Sequence, residues 1–285
     1  MKLGISSYSL YQAMRSGSMS ILDTIDWVAE LGAEHIEIVP LDFNFNENPE
    51  LIGAIRERAA KAGIALSNYA IGANFITEST EAYEAEIERV KREVDHAHAL
   101  GVKLMRHDVA ARQDTSIIRF QEDLPRIAEA CRQIADYAAE YGITTSLENH
   151  GYYVQASDRV QAVVHAVDRP NYKTTLDVGN FVCVDENPVM AVKNNIGYAS
   201  MVHIKDFYIR PEHANPGEGW FRSAGGQYLR GAIAGQGDLD LYELLRIVKH
   251  SGYDGYLSIE YEGMEDCRLG TRIAYDNVQR IWNEV

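Results

Sequence analysis

The stretch Ile127–Glu148 reads IAEACRQIADYAAEYGITTSLE and holds the fold in miniature. Ile127, Ala130, Ile134 and Ala138 recur three or four apart, the period of an amphipathic helix. Gly142 follows Tyr141, where a glycine accepts the left-handed conformation that closes a helix. Ile143–Glu148 then reads as a short β-rich run. The same parts recur along the chain. Further helix-closing junctions are Leu31-Gly32, Ala62-Gly63, Leu100-Gly101 and Ser251-Gly252. Runs near them are His35–Val39, Ile64–Tyr69, Val102–His107 and Tyr256–Tyr261. Lys2–Ser7, Tyr172–Asp177 and Ser200–Lys205 complete a set of eight candidate strands.

Helical periodicity fills the intervals, as in Ile87, Val90, Val94 and Ala97, or Leu241, Leu244, Leu245 and Val248. Ser20 ahead of Ile21, and Ser157-Asp158 ahead of Val160–Val167, read as helix N-caps. Alternating strands and helices imply parallel pairing with right-handed crossovers. Eight such units, at a usual spacing of roughly 30 residues, predict an α/β fold, a single (β/α)8 TIM barrel over residues 1–285. An open doubly wound sheet is the rival, but no strand leads into a Gly-x-Gly-x-x-Gly turn. The segment 207–238, after the seventh strand, breaks the spacing. It carries Pro211, Pro216, several glycines, Trp220, Tyr228, Arg210, Arg222 and Arg230. Its length predicts a long, mobile lid loop over the barrel mouth.

Composition limits the function classes. Hydrophobic residues make up 46% and charged residues 24%, which gives ample material for a core. Lysine plus arginine number 27 against 42 acidic residues, a net charge of −15. Such a field repels phosphate backbones and anionic lipid, so no nucleic-acid or membrane partner is expected. Cys131, Cys183 and Cys267 are too few and scattered for a disulfide framework or zinc knuckle. The opening Leu3-Gly4-Ile5-Ser6-Ser7 is too polar for a secretory leader, and a cytoplasmic protein is expected.

In a barrel the site lies at the C-terminal ends of the strands. Glu148, Asp177, His203 and Glu260 all lie at such ends, on the fifth to eighth strands. Leu147, Leu176, Val202 and Ile259 immediately precede them. Period-two alternation therefore sends the apolar residues to the helices and the polar four into the mouth. Any one of the four alone reads equally as a cap, an ion-pair partner or a core histidine. Three carboxylates converging without a cation would repel one another. A divalent cation relieves that, and the donor set suits Mn²⁺, with Mg²⁺, Co²⁺, Fe²⁺ or Zn²⁺ as alternatives.

The segments Ser146-Leu147-Glu148-Asn149-His150-Gly151, Thr175-Leu176-Asp177-Val178-Gly179-Asn180, Val202-His203-Ile204-Lys205-Asp206, Gly235-Gln236-Gly237-Asp238-Leu239-Asp240 and Ser258-Ile259-Glu260 carry a resemblance. The chain resembles the xylose isomerase-like TIM barrels, and most of all their sugar phosphate isomerase/epimerase branch of ketose 3-epimerases, inosose isomerases and dehydratases. The resemblance implies one divalent ion, usually Mn²⁺, on Glu148, Asp177, His203 and Glu260. It implies that Glu148 and Glu260 also exchange protons with substrate in an epimerase. The Glu-Asn-His-Gly pattern further resembles barrel subunits that cleave 3-keto glycosides, where His150 would be the base; a loop residue bonding its own turn is the equal alternative. Asn180 stands where many relatives, including DNA-repair nucleases of this fold, carry a histidine. With the charge of −15 this argues against a nuclease.

The expected function is thus a metal-dependent isomerase or epimerase of a keto-sugar or polyol-derived ketone, working through a metal-stabilised enediolate. The alternative is a lyase or deglycosylase on 3-keto glycosides, C-glycosides included. A non-catalytic binding subunit ranks last. Substrate contacts are expected from Lys205, Arg106, His107, Glu37 and Trp220, with one of Arg106 and His107 facing the mouth and the other the helices. His96 and His98 read as structural. A homo-oligomer, or pairing with a partner subunit that completes the lid, is expected.

Overall fold

The computed structural model describes residues 1–285. Its strands are β1 (Lys2–Ser6), β2 (His35–Ile38), β3 (Ala65–Ile71), β4 (Leu104–His107), β5 (Thr144–Glu148), β6 (Tyr172–Asp177), β7 (Ala199–Ile204), β8 (Asp206–Arg210), β9 (Phe221–Arg222), β10 (Tyr228–Ala232) and β11 (Tyr256–Ile259). Eight of them close into a parallel barrel in the order β1-β11-β7-β6-β5-β4-β3-β2. All eight sequence-read runs are present, with ends shifted by a residue or two. Helices pack outside, and their apolar stripes meet Ile5, Ile36, Leu147, Leu176, Val202 and Ile259 in one continuous core.

Local chemistry explains the elements. Ser20 caps the helix Ile21–Glu30 in a capping box with Asp23, each side chain bonding the other's backbone N–H. Gly63 and Gly101 close their helices at φ 71° and 82°. Ser157 departs from its expected capping role. It is the first residue of its helix, and its hydroxyl bonds the Glu186 carboxylate.

The barrel floor is built on a close approach. His35 is fully buried; its Nε2 lies 3.0 Å from the Leu257 carbonyl oxygen, and its Nδ1 2.8 Å from Ser67 Oγ. Gly4 makes room for it. A Cβ there would stand 2.1 Å from the His35 carbonyl oxygen and 2.6 Å from the ring. Gly4→Ala is therefore expected to destabilise by more than about 3 kcal/mol, since neither backbone nor ring can yield inside a closed barrel. Urea unfolding checks this, and an unchanged midpoint would contradict the packing.

The segment 207–238 corrects the expected loop. With Asp206 it folds into a three-stranded antiparallel sheet in the order β8-β10-β9, and Phe207 pairs with Gly231. Its alternating Phe207-Tyr208-Ile209-Arg210 is a strand pattern that the nearby prolines and glycines obscured. Asp206 ties its base, accepting from the N–H groups of Phe207, Gly235 and Gly237 at 2.8, 3.0 and 2.9 Å. Asp185 ties its turn through Ser223 and Gln227 at 2.6 and 2.8 Å.

Candidate functional site

The alternation read from sequence holds at the barrel mouth. Glu148 and Asp177 end β5 and β6, His203 lies within β7, and Glu260 follows β11. One ligand atom from each lies within 4.8 Å of all the others. Asn149, buried, secures the neighbouring strand end. Its amide donates to the Asp177 carbonyl and its Oδ1 accepts from the Asp177 N–H, both at 2.9 Å. Gly179 lets β6 and β7 close up, because a Cβ there would stand 2.8 Å from the Lys205 carbonyl oxygen.

Cations and a further carboxylate frame the four. Arg106 Nη2 pairs with Glu148 and lies 2.9 Å from Asp108 Oδ1. Lys205 Nζ lies 2.7 Å from Glu260, 3.5 Å from Asp177 Oδ2 and 3.4 Å from Glu262. His203 Nε2 lies 2.8 Å from Glu37, while its Nδ1 faces Glu148 at 3.2 Å and Glu260 at 3.6 Å. Glu37 thus fixes the ring so that Nδ1 points at the carboxylates. A carboxylate on the outer nitrogen is the usual support for a metal-binding imidazole.

The electrostatics follow from this packing. Burial pushes the Glu148 carboxyl up, but Arg106 and His203 outweigh it and hold it well below the usual carboxylate range. Glu260 is lowered in the same way, with Lys205 and His203 overcoming burial. Asp177 is raised to about 6 by burial, which Lys205 only partly offsets. Burial would lower His203, yet Glu37, Glu260 and Glu148 lift it well above the usual imidazole value.

The residues fit a divalent ion. Asp177 Oδ2 is buried with no hydrogen-bond partner, although Oδ1 of the same carboxylate accepts from the Gly179 and Asn180 N–H groups at 2.7 and 2.8 Å. A carboxylate oxygen without a hydrogen bond, its neighbouring cation Lys205 standing off at 3.5 Å, inside a cluster of three carboxylates and one imidazole, is the arrangement a divalent cation satisfies.

Above the cluster lies a cavity of about 570 Å³. Of the residues singled out from sequence, Glu37, Arg106, Glu148, His150, His203, Lys205 and Glu260 line it. Asp177 sits beneath, fully buried. His150 is half-exposed, with Nδ1 3.3 Å from Asp108 Oδ1; its backbone also bridges to Val154, so it bonds its own turn as well as facing the mouth. Burial would lower its imidazole, but Asp108 and Glu148 raise it.

Two expected contacts fall elsewhere. His107 faces the helices, as one of the Arg106-His107 pair must. Its ring packs by Phe75 at 5.8 Å and its Nδ1 lies 2.8 Å from the Asp108 carbonyl. Trp220 is drawn off the mouth by arginines, with Arg210 and Arg230 over its ring at 5.6 and 5.3 Å. No residue of 207–238 lines the cavity. His96, by contrast, is structural as read, with Nδ1 3.1 Å from Glu93. Sequence reading missed Asp108, Glu262 and Tyr8. Asp108 and Glu262 stand two residues after Arg106 and Glu260, so the same period of two, carried past the strand ends, would have found them.

Residues 25–281 match the family model of the xylose isomerase-like TIM barrel. The chain belongs to that family. It is 25% identical over 219 residues to an inosose dehydratase of Clostridium botulinum, covering 71% of this chain and 70% of that one. Among solved structures, the IOLI protein with a bound zinc atom superposes with a TM-score of 0.77 at 20% identity, over 100% of this chain and 97% of the other. D-psicose 3-epimerase from Clostridium cellulolyticum H10 gives 0.74 at 18% identity over 99% of both chains. These two structures share the barrel with this family member. No helix of the chain is long and apolar enough to cross a membrane.

The buried titratable groups set the pH dependence of the fold. Burial lowers both His35 and His107 to about 4, below the unfolded value of 6.5. A lowered imidazole contributes stability above 6.5 that is lost as pH falls toward 4. Asp177 and Asp206, both raised to about 6 by burial, work in the opposite sense over the same window. Two groups of each sign nearly cancel, and His203, lifted above its ordinary value, adds to the stabilising side as pH falls. Stability of the metal-free protein is therefore expected to change by about 1 kcal/mol or less between pH 7 and pH 4.5. Urea titrations at the two pH values check this; a fall of about 3 kcal/mol or more would contradict it.

Proposed function

We propose that this protein removes the proton next to the carbonyl of a keto-sugar or polyol-derived ketone and returns it to carbon, as a metal-dependent isomerase or epimerase. The observation that carries the reading is the pair Glu148 and Glu260. They converge on one point from separate strands, each ionised by its own cation, Arg106 and Lys205. A divalent ion on Glu148, Asp177, His203 and Glu260, with Mn²⁺ favoured, would supply Lewis-acid polarisation of the substrate carbonyl. Glu148, ionised at neutral pH, is in the form that accepts a proton from one face of the bound ring. Glu260 faces it from the eighth barrel strand; itself held ionised, it would first take up a proton from solvent and then deliver it to the other face, which inverts the carbon, while Glu148 releases the abstracted proton to solvent. Lys205 reaches both Glu260 and the cavity, so its ammonium can hold the oxygen that gains charge. Arg106 keeps Glu148 from swinging away.

A second reading is a lyase or dehydratase, in which the same proton leaves but a β-substituent is expelled. The His150–Asp108 contact favours it, as a base with its own orienting carboxylate, and so do the inosose dehydratase relatives. A non-catalytic subunit accords poorly with the complete ligand set.

Product analysis separates the first two. Incubation with ketoses, an inosose and 3-keto glycosides is expected to yield an epimer or isomer with the carbon skeleton and all hydroxyls retained. A dehydrated product or a free aglycone would overturn the isomerase reading in favour of elimination. His150→Ala is expected to slow epimerisation only slightly; abolished turnover would make His150 the base.

A further inference from the structure

Glu148, Asp177, His203 and Glu260 occupy one side of the barrel interior, from β5 round to β11. The opposite side, formed by β1, β2 and β3, holds a second set of buried polar groups. Leu3 and Ile5 of β1, and Ile36 and Ile38 of β2, join the core outside the barrel, so Ser6 and Glu37 point inside. Tyr69 of β3 reaches outward, its hydroxyl 2.7 Å from Glu93 on the helix Thr80–Leu100, so Asn68 also points inside. The three are neighbours. Ser6 is in register with Glu37. Ile36 pairs with Leu66 and Ile38 with Tyr69, so Ser67 and Asn68 together stand opposite Glu37 in a bulge. Ser6, Glu37 and Asn68 are all fully buried. Yet Ser6 Oγ, Glu37 Oε1 and both amide atoms of Asn68 have no hydrogen-bond partner within the protein.

Buried polar atoms are bonded as a rule, and four unpaired ones side by side call for a common partner. The set mixes donors and acceptors. Asn68 Nδ2 and the Ser6 hydroxyl donate, while Glu37 Oε1 and Asn68 Oδ1 accept. A cation would face the Asn68 amide hydrogens, and an anion would face Glu37. Water both donates and accepts, and a buried water needs roughly two to four polar partners. We propose that an ordered water bridges Ser6, Glu37 and Asn68 inside the barrel, and that this bridge locks Glu37 behind His203. Glu37 Oε2 lies 2.8 Å from His203 Nε2, so Oε1 is the oxygen left over. A carboxylate held at one oxygen still turns about its last bond; held at both, it keeps the imidazole aimed. Asn68 is then a positioning residue that acts on the ion site through Glu37 and the His203 ring. The inference rests on the ligand assignment proposed above and holds for the isomerase and the lyase reading alike.

Two measurements test it. A crystal structure of the metal-free protein, at a resolution that places ordered water, is expected to show one within hydrogen-bond distance of Glu37 Oε1 and Asn68. Mn²⁺ affinity, from competition with a chelating dye, is the second. Asn68→Leu keeps the volume but removes both polar atoms, and is expected to weaken Mn²⁺ binding about 10-fold or more, as loss of an outer partner does. Asn68→Ser keeps a hydroxyl and leaves room for a further water, and is expected to bind Mn²⁺ more tightly than Asn68→Leu. A packing role predicts the reverse order, because leucine fills the space and serine leaves a void. Ser6→Ala adds no bulk, is expected to weaken Mn²⁺ binding measurably, and keeps the test decisive if the leucine variant does not fold. A direct Asn68–Glu37 bond with no water between them would overturn the proposal. So would Mn²⁺ affinity unchanged in Asn68→Leu, or in Ser6→Ala where the leucine variant does not fold, or weaker in Asn68→Ser than in Asn68→Leu. A wild type that binds no Mn²⁺ would overturn the ligand assignment and the positioning role together, and the density would then decide the water alone.

Discussion

Glu148→Gln and Glu260→Gln are each expected to lower turnover by roughly 10²–10⁴-fold, the contribution typical of a general acid/base. Glutamine keeps the size of the side chain and an oxygen toward the cluster, but cannot accept the proton. The loss should therefore fall on kcat, with KM changed much less. The two variants differ in a further way. Arg106 loses its partner in Glu148→Gln but still contacts Asp108, whereas Lys205 keeps Asp177 and Glu262 when Glu260 is changed. Both arrangements leave the cation a carboxylate neighbour, so the fold should survive. Steady-state kinetics with metal content measured in the same samples checks the expectation. Full activity in both variants would remove the carboxylate pair from the chemistry.

Asp177→Ala is expected to have the larger effect, loss of the bound divalent ion and with it of measurable turnover. Asp177 is fully buried, and its Oδ2 has no hydrogen-bond partner within the protein. Its Oδ1 accepts from the Gly179 and Asn180 N–H groups, so that half of the carboxylate serves the fold and Oδ2 is the half left for a cation. Removing it deletes one of four donors and leaves Lys205 closer in charge balance to Glu260. Elemental analysis is expected to find one divalent ion per wild-type chain and much less than one in the variant. The thermal unfolding of metal-free wild type and variant should differ little, because the stability that the raised carboxyl of Asp177 costs the metal-free fold at neutral pH offsets the two backbone hydrogen bonds lost with its Oδ1. A variant that binds metal as well as wild type would contradict the ligand assignment.

The barrel and the convergence of Glu148, Asp177, His203 and Glu260 at its mouth were legible because both depend on local period. Helix-closing glycines such as Gly63, Gly101 and Gly142 mark strand starts, and alternation decides which side of a strand end faces inward. Glu148 beside Leu147 and Asp177 beside Leu176 needed no tertiary knowledge. What was not legible depends on neighbours distant in sequence. Glu37 lies far along the chain from His203, and only barrel closure brings them to 2.8 Å. Trp220 was read as a sugar-stacking residue because an aromatic on a long connection has that chemistry. The arginines that claim it, Arg210 and Arg230, come alongside only once β8 and β10 pair. The segment 207–238 read as a loop because Pro211, Pro216 and its glycines outweighed two short runs of strand pattern. Pairing across the turn, tied down by Asp206 and Asp185, then made it a sheet.

The central claim is that this mouth takes a proton from carbon beside a ketone with a divalent ion in place. Its most direct test is proton NMR of a ketose or inosose in D₂O with the metal-loaded protein. The signal of the proton next to the carbonyl is expected to disappear at an enzyme-dependent rate, with exchange lost on chelation, restored by added Mn²⁺, and lost in Asp177→Ala. Exchange continuing at full rate after chelation and in Asp177→Ala, or absent across ketoses, inososes and 3-keto glycosides with one ion bound per chain, would contradict the account.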